Sequence, residues 1–231
     1  MSDSRHLLKR DEVPEQGIFI IGAGHFGARA ARLLADASRA LFAVDRDPDR
    51  LSDLAGLPVE VIEADGVRYL IENFDLLSDG NIIVPAIPIH LAFEWLKGYL
   101  AGEMEIKKID VPEATQSMLP NTWPGSEGSL LVSYADFKCP DDCPEPERCT
   151  VTGEKRDMPL YERLGRLEIP GFSVHVIRSR QLAPGLGGYE VADLKKAAKR
   201  VAEAGERRWL LGTACKCHGI LTASEVTPVS G

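Results

Sequence analysis

The sequence predicts an α/β protein: a doubly wound, mostly parallel sheet in residues 1–111, followed by a smaller α/β, cysteine-rich region in residues 112–231. Three observations predict it. Short apolar runs alternate with helix-period segments through the first half. The composition turns to Pro-, Gly- and Ser-rich loops after about residue 110. All five cysteines fall in two short clusters in the second half. Strands separated by helices imply right-handed crossovers, and hence parallel neighbours.

Each element follows from its local pattern. GIFIIG (17–22) is an apolar run closed by glycine, a buried strand. Residues 25–36 repeat small apolar side chains at helical spacing, with Ala28 and Ala31 on one face. ALFAVD (40–45) is a second strand, and Pro48 opens a short helix through Leu54. PVEVIEAD (58–65) alternates as a third strand, residues 67–77 are helical, and NIIVPA (81–86) is a fourth strand. An amphipathic helix over 89–101 leads to MEIKKIDV (104–111), a fifth strand. Residues 112–128 read as loop, 129–135 as a strand, and 137–157 as a loop without apolar period. A short helix over 159–167, a strand over 172–179 and a helix over 189–204 follow, with Gly205 as its C-cap. Strands at 209–214 and 219–226 close the chain. Trp95, Trp123 and Trp209 are packing residues rather than stacking platforms.

Charge and composition exclude several classes. The net charge is −8, with 27 basic and 35 acidic side chains, which disfavours nucleic acid and anionic membranes as partners. The acidity is uneven: residues 1–110 carry 12 basic and 19 acidic side chains, residues 111–231 carry 15 and 16. The N-terminal MSDSRHLLKRDEVPEQ has no signal-type apolar run, and IIVPAIPIHLAFEWL is too short and too interrupted to span a bilayer. A cytoplasmic protein is expected, without direct membrane insertion. Clustered cysteines there point to metal or redox chemistry rather than structural disulfides.

Gly22-Ala23-Gly24-His25-Phe26-Gly27 follows the first strand and opens the first helix. Gly22 permits the tight turn, Gly24 lets the backbone approach a pyrophosphate, and Gly27 lets helix and strand pack closely. The pyrophosphate would rest on the helix N-terminus. Asp45, 18 residues beyond Gly27, ends the second strand, where an acid accepts the ribose hydroxyls of NAD and repels the 2′-phosphate of NADP. Arg46 keeps NADP as an alternative, and a tight turn without ligand is the bland one. Together these features give a Rossmann-like first region.

IFIIGAGHFGARAARLL, AVDRDPDRLSDLA and VEVIEADGVRYL together resemble the RCK-N (TrkA-N) domain, the NAD-binding regulator domain of potassium transport systems, over roughly residues 16–90. The resemblance implies NAD(H) binding, sometimes of another adenine nucleotide, and assembly as a homodimer or larger homo-oligomer. It assigns the acid of the second strand to Asp45 and the acid near the adenine to Asp65. His90, after the fourth strand, lies where a nicotinamide would sit and is the one candidate acid–base group. The alternative is a polar residue beside the 89–101 helix.

The first cysteine cluster is Cys139-x3-Cys143-x5-Cys149, and the second is Cys215-Lys216-Cys217-His218. Thiolates in proline-stiffened loops converge on one soft metal, three from the first cluster and one or two from the second. The Cys-Pro pairs favour a [4Fe–4S] iron–sulfur cluster, then zinc, with His218 a ligand in either case. A thiol–disulfide pair and unrelated buried thiols are the remaining options. Arg178, Arg180, Gly187 and Gly188 lie in a segment between a strand and a helix, and either hold a carboxylate or phosphate or belong to a surface turn. Function is expected to be regulatory: an NAD(H)-binding protein whose cysteine site reads redox or metal state, partnered by a membrane transporter or a redox protein. An NAD(P)H-dependent oxidoreductase with an iron–sulfur centre acting on a small anionic substrate is the alternative, and a structural zinc the third.

Overall fold

The structure, a computed structural model, describes residues 8, 9, 13–36 and 38–229. The first seven residues, part of the segment read as lacking a signal sequence, lie outside them. The chain divides into two compact units: Met1–Ile87 with Gly188–Ala192, and Pro88–Gly187 with Asp193–Gly231.

In the first unit the elements are β1 (Ile18–Ile21), α1 (His25–Leu34), β2 (Leu41–Asp45), α2 (Pro48–Ser52), β3 (Glu60–Glu63), α3 (Gly66–Asn73) and β4 (Ile82–Pro85). The strands run parallel in the order β3-β2-β1-β4, with Ile18 opposite both Leu41 and Ile82. Every residue of β1 and β2 is buried, as expected for strands covered on both faces. Phe19 and Phe42 stack at 4.7 Å between these strands. β3 lies at the edge and buries only Ile62. Tyr189 and Glu190 add antiparallel to Ile83 and Ile82. The strand order reverses between β1 and β4, which opens a ligand crevice at their carboxyl ends, immediately before Gly22.

The second unit contains α4 (Leu91–Tyr99), β5 (Met104–Ile109), α5 (Glu113–Ser117), β6 (Asn121–Pro124), β7 (Leu130–Ser133), α6 (Leu160–Gly165), β8 (Phe172–Arg178) and β9 (Arg180–Ala183). Next in the chain come β10 (Leu186–Glu190) and α7 (Val191–Ala204), of which Gly188–Ala192 belong to the first unit, then β11 (Arg207–Ala214) and β12 (His218–Pro228). The sheet order is β6-β7-β12-β11-β8. β12 pairs along one edge with β11; its other edge is shared by β7, opposite His218–Leu221, and β5, opposite Ala223–Pro228. α6 covers a core that includes Leu130, Val132, Leu210 and Leu221.

Three expectations need correction. The segment 104–111 is not a fifth parallel strand: β5 pairs antiparallel with β12, which draws residues 88–111 into the second unit. Its alternating burial, Met104 and Ile106 inside with Glu105 and Lys107 outside, is the signature of a one-sided antiparallel strand. Residues 112–128 are not all loop. Pro112 precedes the first turn of α5, and Pro124 closes β6, an edge strand, where a missing N–H costs no ladder bond. Residues 178–189 hold β9 and β10, joined through Pro184 and Gly185, whose φ of +70° suits the turn.

Candidate functional site

The glycine turn is built by close approach. Gly22 has φ +102°, and a Cβ there would lie 2.6 Å from the Ala86 carbonyl oxygen. A Cβ on Gly27 would lie 1.8 Å from the Gly22 oxygen, so α1 packs on the turn only with glycine in place. Gly24 differs. Its φ is −64°, and the nearest atom to an added Cβ is Arg50 Nη1 at 3.9 Å. The space in front of Gly24 is therefore open, at the N-terminus of a ten-residue helix whose first-turn N–H groups have no partner within the helix.

Asp45 ties the second strand to this turn. It is 6% exposed; its Oδ2 accepts from Ala23 N–H at 2.7 Å and its Oδ1 from Asp47 N–H at 3.0 Å. Each carboxylate oxygen keeps a second lone-pair direction for a ribose hydroxyl. Gly22, Ala23, Gly24, Gly27 and Asp45 thus form one constellation that fits a dinucleotide. His25 and Phe26 are exposed beside it, their rings edge to face at 5.3 Å. Arg46 is exposed. Asp65 accepts from Arg68 N–H at 3.0 Å and caps α3. Sequence reasoning missed Arg50, whose guanidinium lies 3.7 Å from Asp45 Oδ2 and 3.2 Å from Asp47 Oδ2.

His90 is not a free acid–base group. It is 3% exposed, with Nδ1 2.8 Å from Thr222 Oγ1 and Nε2 3.3 Å from Thr213 Oγ1. Burial, helped by Lys108, pushes its pKa down to about 3, so the ring stays neutral inside the second unit. The segment read as an anion loop is committed elsewhere. The Arg178 guanidinium covers the Tyr161 ring at 4.5 Å, and Arg180 pairs with Asp193. Gly187 and Gly188 are strand residues of β10, the former against Ser179 Oγ.

That segment instead holds the cysteine loop. The Cys143 carbonyl accepts from Gly185 N–H at 2.8 Å and from Gln181 Nε2 at 2.9 Å. A Cβ on Gly185 would lie 1.7 Å from the Asp141 oxygen. Further along, Lys216 Nζ donates to the Glu145 carbonyl at 3.2 Å and Arg156 Nη1 to the Pro146 carbonyl at 2.8 Å. The other cluster is anchored by α6, where Leu160 N–H donates to the Lys216 carbonyl at 2.9 Å.

The result is a cavity of about 330 Å³ lined by Cys139, Cys143, Cys149, Cys217 and His218, with Arg156 and Arg163. All five cysteines are free thiols. Cys139 Sγ lies 3.4 Å from His218 Nε2, and Cys215 Sγ lies 3.9 Å from His218 Nδ1. Burial pushes the Cys217 thiol up to about 12, and burial with the nearby Glu145 does the same to Cys215. Burial and the neighbouring thiols Cys143 and Cys149 raise Cys139. Cys149 moves the other way, because backbone N–H groups of Thr152 and Val151 point at its sulfur. Desolvation by the surrounding atoms lowers the His218 pKa. Crowded thiols resist ionising together, and a cation among them supplies the missing charge. Glu145, Cys217 and His218 bring donor atoms within 4.8 Å of one another. The sequence reading missed Glu145, although its place between Pro144 and Pro146 inside the first cluster was a visible signal.

A family model described as "Uncharacterized protein, C-terminal domain" matches residues 92–227. An uncharacterized protein of Archaeoglobus fulgidus is 31% identical over 222 residues, covering 88% of this chain and 97% of that protein. The chain belongs to that family. The family model spans the whole cysteine site and Glu145. A TrkA-N domain model matches residues 18–71, a span that includes the glycine turn, Asp45 and Asp65. This match supports an NAD(P)-binding, Rossmann-type N-terminal domain. Among solved structures, a putative methyltransferase from Thermoplasma acidophilum matches at 16% identity with a TM-score of 0.28, over 44% of this chain and 60% of that one; it carries no argument. No helix among the described residues is long and apolar enough to cross a membrane.

Proposed function

We propose that this protein binds NAD(H) in its first unit and acts as a regulatory protein of the potassium-transport-regulator kind, with a cysteine-ligated iron–sulfur or zinc centre in its second unit that senses redox state. The observation that carries the nucleotide reading is the open approach to Gly24 with Asp45 fixed beside it. Asp45 favours NAD over NADP, because a 2′-phosphate would meet its charge. The metal reading rests on the sulfur and imidazole donors that line one cavity. Regulation is preferred to hydride transfer because His90, the candidate acid–base group, is buried and held on both ring nitrogens. A second copy of the chain and a transporter or redox protein are the expected partners, in the cytoplasm.

The test is anaerobic purification of the full chain, followed by a visible spectrum, metal and sulfide analysis, and titration with NADH. Brown protein with iron and acid-labile sulfide, or colourless protein with one zinc per chain, supports the metal centre. Protein that holds neither metal and shows no NADH binding overturns the proposal.

A further inference from the structure

We propose that the metal centre is a single divalent ion of zinc type, held by Cys139, Cys217, His218 through Nε2, and the carboxylate of Glu145. This rests on the metal-centre reading above and deepens it by naming the nuclearity and an oxygen ligand.

The distances favour one ion over a cluster. Bonds of about 2.3 Å to sulfur and about 2.0–2.1 Å to nitrogen, at the tetrahedral angle, place the two donors about 3.5–3.6 Å apart. Cys139 Sγ and His218 Nε2 are 3.4 Å apart, close to that edge. Donors to different irons of a cluster stand further apart, because the iron–iron separation adds to the span. Glu145, Cys217 and His218 have donor atoms within 4.8 Å of one another, a range from which side-chain torsions reach a tetrahedral edge of about 3.5 Å. A mixed sulfur, nitrogen and oxygen set suits a borderline-soft divalent ion.

Cys215 has another role. Its Sγ accepts from the backbone N–H groups of Cys217 at 3.4 Å and His218 at 3.3 Å, which folds the 215–218 turn around it. The same sulfur lies 3.9 Å from His218 Nδ1; with the ring proton on Nδ1, it accepts that N–H and leaves the Nε2 lone pair facing Cys139. Metal-bound imidazoles are commonly oriented through the far ring nitrogen in this way. Cys215 is thus a positioning residue.

Glu145 is placed with unusual firmness for a loop residue. It adopts φ +47° between Pro144 and Pro146, and Lys216, from the same turn as Cys217 and His218, holds its carbonyl. A left-handed conformation at a non-glycine residue is costly and persists where its surroundings fix it.

The experiment titrates metal-stripped full-length protein with Co²⁺, monitored by absorption. Wild type is expected to take one Co²⁺ per chain, with the intense d–d bands of a tetrahedral ion and thiolate charge-transfer absorption. Glu145→Gln is expected to bind Co²⁺ at least about 10-fold more weakly and to shift the d–d bands, with the charge-transfer band retained. Glu145→Asp, which keeps the oxygen donor, is expected to bind more tightly than Glu145→Gln. Wild-type protein that takes the metal while Glu145→Gln matches it in affinity and spectrum overturns the Glu145 assignment alone. Recovery of a cluster with iron and sulfide overturns the single ion. No metal uptake by wild type overturns both this proposal and the centre it rests on.

Discussion

Replacing Gly24 and Gly27 separately by alanine divides ligand binding from folding at the same turn. At Gly27 the new Cβ would stand 1.8 Å from the Gly22 oxygen and 2.7 Å from the Gly22 carbon, both backbone atoms that cannot rotate away. α1 must lift from β1 and loosen the contacts of Ala28, Ala30, Ala31 and Leu34. Overpacking of this kind costs about 3 kcal/mol, at the upper end of its usual range. For a chain of this length that lowers Tm by roughly 6–12 °C. At Gly24 the backbone suits any residue, and the nearest atom to the new Cβ is a flexible Arg50 nitrogen at 3.9 Å. Ligand-free stability should change by no more than about 0.5 kcal/mol. The methyl group nevertheless occupies the pyrophosphate's path, so NAD affinity should fall by at least ~10-fold, or about 1.4 kcal/mol. Thermal unfolding with and without NAD reads both effects, since a ligand that binds only the folded state raises Tm with its concentration. Gly24→Ala should melt with ligand-free wild type and need at least ~10-fold more NAD for the same rise. A Gly24→Ala rise at the same NAD concentrations as wild type, or a ligand-free Tm as low as that of Gly27→Ala, would show that Gly24 does not face the pyrophosphate.

Other consequences reach the second unit. Gly185→Ala, whose Cβ would sit 1.7 Å from the Asp141 oxygen, should displace the Cys139–Cys143 loop; metal affinity measured by chelator competition should drop while NADH binding is unchanged. Cys215→Ser should lower metal affinity less than Cys139→Ser, because the first alters only how His218 is oriented. Stability should fall as pH drops from about 6.5 towards 4, because His90 and the buried His175 of β8, beside Arg200, are held neutral by burial, with pKa values pushed to about 3 and about 4. In that window the unfolded chain binds protons that the folded chain refuses, so each site contributes up to about 1.4 kcal/mol per pH unit. Urea unfolding at several pH values checks this, and His90→Gln should flatten the profile.

Much of the first unit was legible because its chemistry is local. β1 and β2 are unbroken apolar runs, the glycines sit at the turn itself, and Asp45 ends its strand. The second unit depends on long-range pairing. Nothing local in residues 104–109 names β12 as their partner, although the alternation of Met104, Glu105, Ile106 and Lys107 did signal a one-sided strand. Gly185 looked like part of an anion loop because its neighbour in space, Asp141, is 44 positions away. The cysteines were legible as a group through their spacing. Glu145 was not, because a carboxylate joins that group only once the loop folds back on the Cys215–His218 turn.

Titration of the full-length protein with NADH and NADPH, followed by nicotinamide fluorescence, tests whether the glycine turn and Asp45 bind a dinucleotide. One NADH per chain is expected to bind saturably, with NADPH weaker by at least ~10-fold because its 2′-phosphate meets Asp45. Absence of saturable binding by either nucleotide, or equal binding of both, would contradict that reading of the turn and Asp45.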